Sequence, residues 1–198
     1  SSGKTVPEDT GTYPKSALVT IDTEIESQNM IDYLCNCGHK RIAFITSRDE
    51  GLGRCHLNGY KRALEKNGLE YDEKLIIRLK PAKRIYTIEN GYNCTCELLK
   101  SGVDFSCIYA ISDTLAVGAC RAIIDSGKRV PEDYCVAGAD GQDIAEYYHP
   151  SITTLKYPRV ETAQQSVRTL FDLIDRKKVV KRQILGGTLI ERESTRKL

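Results

Sequence analysis

One unit recurs along this chain: a helical stripe of apolar residues, a glycine, then a short apolar strand. Ile31, Leu34 and Cys35 share a helical face ahead of Gly38 and the strand Arg41 to Thr46. Leu57, Tyr60 and Leu64 lead to Asn67-Gly68 and then Leu75-Ile76-Ile77. Tyr92, Cys96 and Leu99 lead to Ser101-Gly102 and the strand Cys107 to Ile111. Leu115, Ala119, Ala122 and Ile123 lead to Ser126-Gly127 and a strand over 134–139. Glycine suits the left-handed residue just past a helix end. Strands that are apolar without alternation belong to sheets covered by helices on both faces. Alternation with short links therefore predicts the α/β class with a doubly wound parallel sheet.

The pattern changes after residue 152. A strand from Ile152 to Tyr157 is followed by Pro158 and a long helix with Val160, Ala163, Val167, Leu170 and Ile174 on one face. Lys177, Lys178, Lys181 and Arg182 follow as a solvated helix end, well placed against the helix dipole. A last strand runs from Thr188 to Glu191, and residues 1–16 read as loop.

With 198 residues the chain makes one large domain or two small ones. Its formal charge of +2 gives no global case for nucleic acid or a membrane surface. No apolar run approaches a membrane span, and Ser1-Ser2-Gly3-Lys4 opens without the apolar stretch of a secretory signal. The 8 cysteines sit mostly inside helix and strand patterns, which favours free thiols in a reducing cytoplasm over disulfides. Cys35-x-Cys37 and Cys94-x-Cys96 lack zinc spacing, so no metal or other cofactor is expected. Motifs for dinucleotide or nucleotide phosphate binding, and for hydrolase or metalloprotease chemistry, are absent; Gly51-x-Gly53 is too short a match to count. An enzyme is not indicated.

The stretch 129–154 is the most informative for function. Pro131-Glu132-Asp133 makes a turn, Tyr134 to Ala137 a strand, and Gly138-Ala139-Asp140 delivers a carboxylate to the strand's C-terminal tip. Open α/β sheets bind ligands in the crevice outside those tips. Asp140 is thus either a ligand contact, since a carboxylate accepts several O–H donors at once, or a helix N-cap over 140–144. Ser112 and Asp113 end another strand and open a helix, where Asp113 is expected to be the N-cap. Cys55 and His56 suggest a thiol–imidazole pair, but neighbours on a helix point apart. His39 and His149 read as turn residues, and Tyr147-Tyr148 line a cleft or pack on the surface.

Several segments, in order, resemble the lactose-repressor (LacI/GalR) family of transcriptional regulators. They are Val19-Thr20-Ile21-Asp22, Gly38-His39-Lys40-Arg41-Ile42-Ala43-Phe44-Ile45, Gly59-Tyr60-Lys61-Arg62-Ala63-Leu64 and Ser112-Asp113-Thr114-Leu115-Ala116-Val117-Gly118. Pro131 to Thr154 and the closing Arg192-Glu193-Ser194-Thr195 complete the set. The resemblance implies a periplasmic-binding-protein-like (type I) fold of two α/β subdomains, with the N-terminal one incomplete. Residues 1–38 would be a remnant of that subdomain plus a crossover helix, and 39–150 the C-terminal effector-binding subdomain. Residues 151–185 would return to the N-terminal subdomain, and 186–198 would supply the last strand and tail of the C-terminal one.

The resemblance also implies roles. Asp140 would accept hydrogen bonds from the effector, Ser112 and Asp113 would offer polar contacts, and Tyr86 would either stack on it or cover the edge of the core. The family's effector-clamping arginine position holds His56, with Arg54 and Arg48 nearby to take over; otherwise His56 is a polar helix-start residue. The implied function is a ligand-sensing and dimerisation domain of a bacterial repressor. A carbohydrate-like small-molecule effector would control DNA-operator binding by a helix-turn-helix headpiece outside this chain. An alternative of the same fold is a periplasmic-type solute-binding or receptor domain for a carbohydrate. A cytoplasmic homodimer with no membrane partner is expected.

Overall fold

The computed structural model describes residues 16–48, 50–81 and 83–198, so the loop expected over 1–16 lies outside them save for Ser16. The chain divides into two compact units. The larger holds residues 23–156 and 188–198, and the smaller holds 16–22 and 157–187.

The larger unit is wound as the recurring pattern predicts. Helix α1 (Thr23–Asn36) precedes β2 (Ile42–Thr46), α2 (Leu52–Lys66) precedes β3 (Ile76–Arg78), and α3 (Ile88–Lys100) precedes β4 (Cys107–Ala110). Then come α4 (Asp113–Asp125), β5 (Cys135–Asp140), a short α5 (Asp143–Tyr147), β6 (Thr153–Lys156) and, last, β8 (Thr188–Ile190). The six strands lie in the order β3-β2-β4-β5-β6-β8. All pairs are parallel except β6 with β8. The glycine stops act as expected: at Gly38 the backbone turns left-handed (φ 98°), letting His39 N–H donate to Leu34 O at 3.1 Å.

Phe44 anchors the core, stacked against Tyr60 at 5.0 Å and Tyr109 at 5.2 Å between ring centroids. The Tyr60 hydroxyl donates to Ile42 O at 2.8 Å, so its polar end is satisfied in the interior. On each face the helices cross at glycines. A Cβ on Gly59 of α2 would strike Glu24 O and Ser27 of α1. One on Gly91 of α3 would strike Leu115 of α4, and one on Gly118 of α4 would strike Ile88 O.

The tail is woven into the same sheet. Ser194 is fully buried, donating to Val136 O at 2.6 Å and accepting from Thr153 N–H at 2.9 Å. His39, just past the turn at Gly38, meets the Ser106 hydroxyl through Nδ1 at 2.8 Å. All the cysteines are free. Cys37, Cys107, Cys120 and Cys135 are buried, and Cys35, Cys55, Cys94 and Cys96 are partly exposed. Burial pushes the Cys107 and Cys120 thiols up, keeping them protonated and unreactive. Among the described residues, no group of three or more His, Cys, Asp or Glu side chains is placed to hold a metal ion.

In the smaller unit β1 (Leu18–Ile21) pairs in parallel with β7 (Arg182–Leu185), alongside α6 (Arg159–Ile174). Arg182 therefore opens a strand and is not part of a solvated helix end. Lys177 does sit at that end, 3.2 Å from Asp172 and 3.1 Å from Asp175. The apolar face expected on α6 is present but uncovered: Val160, Val167, Leu170 and Ile174 are all more than half exposed. The described part of the segment 1–38 is divided between the two units. β1 belongs to the smaller unit, whereas α1 packs on α2 in the larger. The strand from Ile152 also stays in the larger sheet, paired with β5.

Candidate functional site

Because β2, β4 and β5 run parallel, their carboxyl ends lie along one edge of the sheet. The candidate residues lie at or beyond the carboxyl ends of these strands and of the parallel β3: at the last residue of β5, in the segments after β2, β3 and β4, and in the first turns of α2 and α4. At the tip of β5, Asp140 adopts φ 101°, a left-handed conformation rare for a residue with a side chain, and is partly exposed. It is not a helix N-cap. Gln142 holds that position on α5 and instead points its Nε2 donor at Asp140 Oδ2, 2.9 Å away.

Neither does Asp113 cap its helix. Ser112 does, accepting from Leu115 N–H at 3.4 Å, and this displaces Asp113 into the first turn. There Asp113 is fully buried. Its Oδ1 accepts the Thr154 hydroxyl at 2.6 Å, and its Oδ2 accepts Gln142 N–H at 2.6 Å. Burial pushes its carboxyl up to about 6, opposed by those two bonds and raised further by Asp140. Room for that carboxylate depends on Gly138, where a Cβ would strike Oδ1.

A second strand of contacts reaches Tyr86. Ser112 Oγ meets Thr114 Oγ1 at 2.8 Å, and the Thr114 hydroxyl donates to Tyr86 O at 3.2 Å. Tyr86 itself is 46% exposed. Hydrogen bonds thus link Tyr86 to Ser112 through Thr114, and separately Asp113 to Asp140 through Gln142.

The arginine-loop candidates differ among themselves. Arg48 is exposed, 3.5 Å from Glu50, and Arg54 is exposed on the first turn of α2. His56 is buried, with Nδ1 2.7 Å from Ser27 Oγ, which lies 3.4 Å from the Tyr109 hydroxyl. Burial pushes His56 down to about 4, so the ring is neutral at physiological pH. It is a polar core link between α1, α2 and β4. A neutral ring so placed does not substitute for a guanidinium clamp.

Sequence reasoning missed Gln142, Thr154 and Ser27. Thr154 had a usable signal. Period-two alternation sends Thr153 to the tail, where its hydroxyl meets Thr195 at 2.7 Å, and Thr154 to the opposite face and Asp113. A cavity of about 390 Å³ between β3 and α3, lined by Arg78, Lys80, Asn90 and Cys94 among others, is distinct from this strand-tip site.

Comparison with known proteins gives consistent findings. The family described as periplasmic binding protein-like domain matches residues 31–195. The transcriptional regulator MalR of Clostridium butyricum is 41% identical over 146 residues, 74% of this chain and 42% of that protein. An Escherichia coli sugar-binding transcriptional regulator of the LacI family, solved in complex with phosphate, superposes with a TM-score of 0.82 at 33% identity. That match covers 90% of this chain and 63% of the solved one. A LacI-family regulator from Enterococcus faecium with bound ribose gives a TM-score of 0.80 at 29% identity, covering 93% and 67%. The chain spans about half the length of the curated relatives it matches. Among the described residues, no helix is long and apolar enough to cross a membrane.

Proposed function

The chain belongs to the LacI family of transcriptional regulators, as its periplasmic binding protein-like domain, and on that premise we propose that it senses a small carbohydrate-like effector. The observation that carries this reading is Asp140: a partly exposed carboxylate at a parallel strand tip, oriented by Gln142, on the edge that also presents the exposed Tyr86. A carboxylate accepts two or more sugar hydroxyls, and an aromatic face covers the C–H surface of a sugar ring. Arg48 and Arg54 are exposed cations on the segment that leaves β2, and Ser112 contributes a hydroxyl.

In the whole protein, effector binding biases a conformational equilibrium. A helix-turn-helix headpiece outside this chain reads that bias as a change in operator affinity. The working form is a cytoplasmic homodimer with no catalytic step. The relatives are transcriptional regulators, which supports a sensor over an enzyme.

The test is a thermal-shift screen of the full-length protein against ribose, other sugars, sugar phosphates and purines, repeated with Asp140→Ala. A ligand that binds only the folded state must raise its apparent stability. A sugar should raise the melting temperature, and Asp140→Ala should abolish the shift. A shift untouched by the substitution would remove Asp140 from the site. A well-folded protein that no small molecule stabilises would overturn the sensing reading.

A further inference from the structure

We infer that Asp113 is a positioning residue: it presets the loop carrying Asp140 for the effector while making no contact with the effector itself. The inference rests on the sensing reading above. The fully buried Asp113 carboxylate already has both oxygens occupied, one by Thr154 and one by Gln142 N–H. From it run two short relays. One passes through Gln142, whose side-chain amide donates to Asp140 at 2.9 Å. The other passes through the Thr154 hydroxyl, which accepts from Gly141 N–H at 3.3 Å. A single carboxylate therefore governs the three consecutive residues Asp140, Gly141 and Gln142.

That loop needs governing. Asp140 and Gly141 both have left-handed backbones, at φ 101° and 66°. A residue with a side chain held there costs on the order of 1–3 kcal/mol and persists only where its surroundings fix it. The packing is as exacting as the bonding. Glycine at 138 leaves room for the Asp113 carboxylate, and glycine at 141 clears the Lys156 backbone. Helix capping does not explain Asp113, because Ser112 performs it. The charged groups acting on Asp113 are Asp140 and Arg192.

The test has a ligand-free arm and a ligand arm. In the first, side-chain carboxyl carbons and backbone amides are followed by NMR from pH 8 to 5. The Gln142 and Gly141 amides should shift with the Asp113 midpoint, near 6, and the Asp140 carboxyl carbon should respond at the same midpoint. Asp113→Asn should erase that shared inflection. Thr154→Val, close in size, should detach only Gly141. Amides that follow Asp140 alone, or that Asp113→Asn leaves unmoved, would overturn the inference.

In the ligand arm, full-length protein is titrated with ribose and with whichever sugars stabilise it. Asp113→Asn should weaken binding roughly tenfold or more, as expected for losing one hydrogen bond to a charged group. It should also flatten the pH dependence of affinity, while Asp140→Asn abolishes binding. Affinity indifferent to Asp113→Asn would overturn the inference even if Asp140 proves essential. If no sugar binds, the sensing reading fails, and the amide titration alone decides whether Asp113 sets the loop.

Discussion

His56 and Asp113 titrate against each other. The buried His56 ring has its pKa pushed down to about 4. Above pH 6.5 it is neutral whether folded or unfolded; as pH falls from there toward 4, only the unfolded chain gains the proton, and stability is lost. Over the full interval the loss is on the order of 3 kcal/mol. Asp113 runs the other way. Its pKa is raised to about 6, so between there and 3.8 the folded state takes up a proton that the unfolded state does not, and stability is gained in similar measure. The two contributions nearly cancel between pH 6 and 4. Guanidinium midpoints at pH 7 and pH 5 should expose this. His56→Asn should gain on the wild type as pH falls, and Asp113→Asn should fall behind it. Parallel pH profiles for all three proteins would refute both assignments. At this scale the sequence yielded Asp140 at its strand tip but not the burial of His56, which depends on α1 crossing α2 at Gly59, a contact between residues distant along the chain. The confusion of Ser112 with Asp113 as cap is a one-residue boundary question, and it changed a surface role into a buried one.

Helices α3 and α4 meet through backbone at Gly91 and Gly118. Glycine inside a helix costs about 0.5–1 kcal/mol relative to alanine, so in isolation Gly118→Ala would stabilise α4. Here the new methyl would strike Ile88 O and the Tyr92 amide. Backbone of a neighbouring helix yields less than a side-chain tip, so the overpacking penalty of roughly 1–3 kcal/mol wins. Gly118→Ala should lower the urea midpoint with little change in slope, and an unchanged or raised midpoint would show that the helices separate freely. Such crossings explain why glycines sit inside otherwise good helical patterns, which periodicity alone leaves as blemishes. Periodicity did locate the helix and strand units, because each stripe is local. It missed β7, whose partner β1 lies more than 150 residues away and whose burial alternates without an apolar run. It also placed Leu75 in β3, whereas Asp72 caps a 3₁₀ turn, Glu73–Leu75, that delays the strand by one residue.

Taken as a whole molecule, the chain joins units of unequal self-sufficiency. The change of pattern near residue 152 signalled a second unit, but the boundary falls after Lys156, because Thr153 to Lys156 complete a sheet begun far upstream. That displacement has a physical source: strand pairing is decided by which neighbour completes the ladder, and a short apolar run does not encode its neighbour. The larger unit has six strands, helices on both faces and a tail threaded through its edge by Ser194. Among the described residues, the smaller unit has two parallel strands and one helix, whose Val160, Val167, Leu170, Phe171 and Ile174 are each more than half exposed. Two strands with so little buried apolar surface do not stabilise themselves in water. Opening free energies within one protein range from near zero to the global value, following local burial. In hydrogen exchange on this 198-residue chain, amides of β2, β4 and β5 should exchange only through global unfolding, whereas those of β1, β7 and α6 should exchange at least about a hundredfold faster. Uniform protection would mean that the smaller unit draws stability from apolar cover beyond its own strands and helix. A graded pattern would instead mark it as the low-stability end of the chain, from which ligand-responsive movement is ordinarily drawn.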